Sequence, residues 1–206
     1  MAMRTTGVLL LAGSMIAIGA CNKAANTSEN SMASDNSASA SSNSSEAASS
    51  DPVKSAESAA PASIAHNASI VTMDASGNAT IVRKGTNDWT CIPDSPATPG
   101  PDPMCADANA MKWADAWIHH KPAPAGAVGV MYMLEGGTDA SNTDPYATKP
   151  TAENDWVKTG PHLMIVGSKE VLAGYPSGAK PDTSAPYVMW AGTPYAHLMI
   201  PIGSGS

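Results

Sequence analysis

Along the last two thirds of the chain, short apolar runs alternate with stretches rich in Gly, Pro, Asn and Asp. Runs of that kind predict strands bounded by turns. Residues 69–73 and 79–83 are β-branched runs flanking Asp-Ala-Ser-Gly-Asn, where Gly77 and Asn78 can take positive φ. They predict a β-hairpin. "NDWTCIPD" predicts a short strand that stops at Pro93, and residues 128–134, 160–166, 187–190 and 196–202 predict four more. Only "ADANAMKWADAWIHH" carries a clear helical period. Met111, Ala114 and Ile118 form one stripe, with Ala110, Trp113 and Trp117 beside it. Asp107 or an earlier Asp can cap this helix and Pro122 stops it. Parallel strands need long crossovers, and one good helix cannot supply many. The expected fold is therefore α+β: two layers, with a mostly antiparallel sheet against one principal helix.

The first 62 residues follow different rules. Arg4 precedes a stretch, residues 7–20, that is almost wholly apolar or small. Its length suits a signal-peptide core and falls short of the roughly 20 residues a spanning helix needs. It ends Ile18-Gly19-Ala20-Cys21. An aliphatic residue, two small residues and a cysteine resemble the lipobox of bacterial lipoproteins. The resemblance covers residues 1–21 alone. It implies cleavage before Cys21 and acylation of its thiol and new amino group, so that the first partner is a lipid bilayer. Several acyl chains, at about 0.8 kcal/mol per buried CH₂, give stable anchoring where one would be marginal. Asn22 stands where an inner-membrane retention signal would place Asp. The resemblance therefore implies an outer-membrane lipoprotein facing the periplasm.

Residues 22–62 are nearly all Ser, Ala, Asn and scattered charges, without an aromatic side chain. Such a segment buries too little apolar surface to offset its ordering entropy. It is expected to be a disordered linker spanning roughly 35 Å. The expected organisation is a signal peptide at 1–20, a lipidated cysteine and linker at 21–62, and one globular domain at 63–206.

That domain is long enough to hide close to 70% of its unfolded surface. The chain contains 12 Met and no Phe, so methionine is expected to fill core volume that phenylalanine often takes. A net charge of −7 without a basic stripe excludes a nucleic-acid partner. Cys91 and Cys105 are the two cysteines left after Cys21, and an exported context predicts a disulfide between them. Closing the Pro- and Gly-rich loop between them is worth roughly 3 kcal/mol in the chain-entropy picture.

Candidate chemistry centres on "HLMI", which occurs at His162 and again at His197. Residues i and i+2 of a strand share a face, so His162 points with Met164 and His197 with Met199. If the two strands are neighbours in register, two imidazoles and two thioethers come together as a soft set suited to Cu(I). Met131, Met133 and Met189 could add thioethers. The same pattern also describes two strands buried on both faces, with no ligand at all. A polar loop, "LEGGTDASNTDPYATKP", carries Glu135, Asp139, Asn142 and Asp144 in an order that does not match an EF-hand. A ligand pocket is expected between this loop, His162 and "WAGTPYAH", with Trp190, Tyr195 and His197 at its rim. His119 and His120 close the helix about 100° apart and do not suit a single ion. No G-x-S-x-G or H-E-x-x-H motif occurs. The leading expectation is a non-catalytic binding or envelope-interaction module without a cofactor, taking a small ligand or an envelope protein. The alternatives are a copper-binding protein and a small periplasmic enzyme pairing Glu135 with His162 or His197.

Overall fold

The computed structural model describes residues 51–203. The signal peptide, Cys21 and most of the expected linker lie outside the described residues. Helices α1 (Pro52–Ser58) and α2 (Ala62–Ala65) come first, followed by strands β1 (Ser69–Met73), β2 (Ala79–Arg83), β3 (Trp89–Ile92) and β4 (Met104–Asp107). Helix α3 (Ala108–Ile118) leads to β5 (Gly129–Met133), the small strands β6 (Ala140–Ser141) and β7 (Trp156–Val157), and then β8 (His162–Val166), β9 (Tyr187–Met189) and β10 (His197–Pro201). Eight strands form one sheet in the order β2-β1-β3-β4-β5-β8-β10-β9. Every neighbouring pair is antiparallel except β1 and β3. The fold is α+β with a mostly antiparallel sheet, and α3 is its principal helix.

Helix α3 starts where Asp107 leaves the sheet. Its carboxylate accepts from Asn109 N–H at 3.0 Å and Ala110 N–H at 2.8 Å, satisfying two donors of the first turn. The other carboxylate oxygen accepts from Val130 N–H at 3.0 Å, so one side chain ties the helix start to β5. Gly129 allows that approach: a Cβ there would lie 2.3 Å from the backbone nitrogen of Ala110.

The alternation of strand side chains divides the core in two. Ala106, Met131, Met133, Met164, Val166, Met189 and Met199 face α3 and pack with Trp113 and Ala114. Cys105, one residue from Ala106, faces the other way. There it joins Cys91, Ile70 and the methyl groups of Ala56, Ala59, Ala65 and Ala68 under α1 and α2. Cys91 and Cys105 are direct cross-strand partners and form a disulfide.

The domain boundary expected at residue 63 is too late. Residues 51–62, assigned by composition to the linker, form α1 and the start of α2 and pack over the disulfide. Asp51 caps α1 by accepting from Val53 N–H at 2.9 Å, and Pro52 occupies the first helical turn, where its missing N–H costs nothing. Alanine methyls pack flush against a sheet without long side chains, which a composition argument overlooks. Arg83 adds a clamp: its guanidinium meets the Glu57 carboxylate and donates to the Ala65 carbonyl at 2.8 Å.

Candidate functional site

The two HLMI segments are β8 and β10, and they are adjacent. Their register is antiparallel, with Met199 opposite Met164 and Pro201 opposite His162. Continued one step beyond Leu198 and Ile165, it sets His197 against Val166. The two histidines are thus four residues apart along the strands, about 13 Å between backbone positions at 3.3 Å per residue. The register therefore does not gather His162, Met164, His197 and Met199 around one point. The two segments instead form a local pseudo-dyad, with thioethers at its centre and one imidazole at each end.

The surrounding strands extend this layer. Met131 pairs with Met164 across β5 and β8, Met133 pairs with His162, and on the far side Tyr187 pairs with Met199 and Met189 with His197. Met131, Met164 and Met199 therefore form a row across three strands. Directly opposite Cβ atoms lie about 4.5–5.5 Å apart. The row is buried beneath α3.

The two histidines are fixed in the same way. His162 Nδ1 lies 2.7 Å from the Gly160 carbonyl oxygen, and His197 Nδ1 lies 3.0 Å from that of Tyr195. A carbonyl only accepts, so Nδ1 carries the proton in both rings and Nε2 keeps its lone pair. His197 is 1% exposed, and its Nε2 has no hydrogen-bond partner among the described residues. Burial pushes its pKa down to about 4, outweighing the Tyr195 carbonyl; His162 is shifted in the same direction, also by burial. Both rings are neutral at pH 7.

An aromatic cluster closes the His197 end. Trp113 and Trp190 meet the imidazole edge to face, at centroid distances of 5.3 and 4.8 Å, and Trp117 packs against Trp190 at 5.1 Å. Trp190 has φ +56°, a left-handed conformation that is uncommon for an aromatic residue. Three bonds hold it there. Its N–H donates to the Asn142 carbonyl at 2.8 Å, its indole N–H donates to the Ser141 carbonyl at 2.9 Å, and its own carbonyl accepts from the Thr193 hydroxyl at 2.8 Å. Tyr195 donates to the Lys121 carbonyl at 2.7 Å and locks the turn against the end of α3.

The polar loop does run where the sequence suggested. Gly137 lies against His162, Asp139 accepts from Thr159 N–H at 3.3 Å, and Ser141 and Asn142 grip Trp190. Loop, His162 and the 190–197 turn thus surround one region. Trp190 and Tyr195 stand there as buried core residues and not as an exposed rim. Two concavities lie at the surface. One of about 410 Å³ is lined by Asp144, Tyr146, Lys149 and Asn154; another of about 530 Å³ lies between Pro122–Gly126, Ser168–Glu170 and the turn residues Thr193, Pro194 and Ala196. Glu135 is exposed, whereas His162 and His197 are buried. Neither imidazole has Glu135 as its hydrogen-bond partner. Trp113 is the residue that sequence reasoning treated only as helix packing and that proves part of this layer. Its place beside His197 depends on the sheet register, which leaves no trace in the helix sequence.

The chain matches no protein-family model, no curated protein and no solved structure.

Proposed function

We infer that this protein is a lipid-anchored envelope protein whose folded domain is a non-catalytic binding module. It is held to the outer membrane through acylated Cys21 and faces the periplasm. Its binding capacity resides in the His/Met layer between the sheet and α3. One observation carries the binding reading: two histidines, each with Nδ1 committed to a backbone carbonyl, stand on the same strands as a row of buried methionines, and Nε2 of His197 is left without a partner among the described residues. Fixing one ring nitrogen by a backbone carbonyl is how proteins orient an imidazole for use at the other.

The anchor is supported by the lipobox-like Ile18-Gly19-Ala20-Cys21 and by the Ser/Ala/Asn-rich stretch that follows it. The Cys91–Cys105 disulfide agrees with an oxidising compartment. Fractionation of cells producing the full chain tests this directly. The parent is expected in membranes with acyl mass on residue 21, and Cys21→Ala in the soluble envelope fraction. Parent protein recovered as a soluble species with an unmodified residue 21 would refute the anchor.

A further inference from the structure

A buried acceptor without a partner is costly, so His197 Nε2, unpartnered among the described residues, calls for an explanation. Two of its strand neighbours are thioethers, beside Val166 on β8. Met189 is the direct cross-strand partner on β9, and Met199 is two residues along β10 on the same face. Each is 3% exposed. Methionine has three rotatable bonds and can bring its sulfur to a neighbouring lone pair without backbone movement. We propose that the protein binds one Cu(I) ion at this end of the layer, through His197 Nε2 and the sulfur atoms of Met189 and Met199.

The chemistry selects the ion. One imidazole and two thioethers are soft, neutral donors, which favour Cu(I) over Zn(II), Mg(II) or Ca(II). Charge burial points the same way. The cost of placing an ion in an apolar interior grows with the square of its charge, and no Asp or Glu is buried among the described residues. Trp113 and Trp190 seal the imidazole from water.

The sheet edge lies close by. β9 is the last strand of the sheet, and the 190–196 turn borders the concavity lined by Thr193, Pro194 and Ala196. Ala196 is the residue directly before His197. The left-handed backbone of Trp190 is a local strain that opening of this turn would relieve.

The competing explanation is also local. Trp113 Nε1–H is a buried donor without a partner among the described residues, and its ring lies 5.3 Å from that of His197. A single water donating to His197 Nε2 and accepting from Trp113 would satisfy both, leaving an ordinary core.

The Cu(I) site names the ligand of the binding reading above and rests on it. Its test is anaerobic competition for Cu(I) against a chromophoric chelator, using the full chain purified from membranes in detergent. One equivalent is expected to bind. Met189→Leu/Met199→Leu, which conserves volume and therefore the fold, is expected to lose at least 100-fold in affinity. Met111→Leu, on the helix, is expected to match the parent. X-ray absorption of the loaded parent supplies a readout that needs no variant, and one nitrogen with two sulfur scatterers is expected. Equal affinity in parent and double variant, equal loss in Met111→Leu, no binding, or coordination without sulfur would each overturn the site. The mass of residue 21 in the same preparation keeps the outcomes separate. Acylated protein that ignores Cu(I) sinks the metal site alone, and unmodified protein that binds Cu(I) sinks the anchor alone.

Discussion

Acid should loosen this fold well before its carboxylates are protonated, and His197 is the reason. In the unfolded chain its imidazole titrates at about its ordinary value of 6.5, whereas in the folded chain burial holds it at about 4. Between those values the unfolded state binds a proton that the folded state refuses. Stability therefore falls as pH drops through that window. From pH 7 to pH 5 the loss from this one group is about 2 kcal/mol, at 1.36 kcal/mol per pKa unit. His162 is lowered by burial as well and adds to the loss in the same direction. Asp74, Asp115, Glu170 and Asp182, whose carboxyls hydrogen bonds hold below the ordinary range, lose their contribution only at still lower pH. Asp102 is raised by burial and works against the trend. The assay is urea unfolding of metal-free protein at pH 7 and pH 5, for the parent and His197→Gln. The parent should lose about 2 kcal/mol more than the variant. A parent stability that stays flat, or two proteins that fall in parallel, would refute the assignment of a buried neutral imidazole.

Other consequences are simpler to read. Replacing both Cys91 and Cys105 by Ala should cost roughly 3 kcal/mol in the same unfolding assay, because the bridge closes a loop of about 15 residues and sits at the centre of the second core. Gly129→Ala should destabilise by about 1–3 kcal/mol, since its Cβ would meet the backbone of Ala110 and push α3 off the sheet; the drop would appear in the thermal midpoint. Asp107→Ala should cost about 1–2 kcal/mol in urea unfolding, for it removes a helix cap and the tie to Val130 N–H together.

Much of the framework was legible in the chain. The hairpin of β1 and β2 announced itself through β-branched runs around Gly77 and Asn78, and α3 through its stripe, its Asp107 cap and Pro122. β4 was missed because Pro101 and Pro103 make its approach look like loop, although pairing Cys105 with Cys91 could have suggested a partner for β3. α1 was missed because its contacts are alanine methyls, which carry little hydrophobic weight; Asp51-Pro52, a cap followed by a first-turn proline, was the available signal. The site was visible as a set of residues and invisible as an arrangement. His162, Met164, His197 and Met199 could be placed on faces by counting in twos. Only the strand register decided that the imidazoles stand at opposite ends. That register depends on long-range pairing of two nearly identical strands, which the strands themselves do not specify.

The free lone pair at the heart of the core is open to direct observation. Long-range ¹H–¹⁵N correlation of the imidazole rings at pH 6 identifies which nitrogen of each histidine carries the proton. For His197, Nδ1 should be protonated and Nε2 bare, with no change on going to pH 5, and Ag(I), a redox-inert stand-in for Cu(I), should shift the Nε2 resonance. A proton on Nε2, or a His197 ring that titrates like an exposed histidine, would contradict the account.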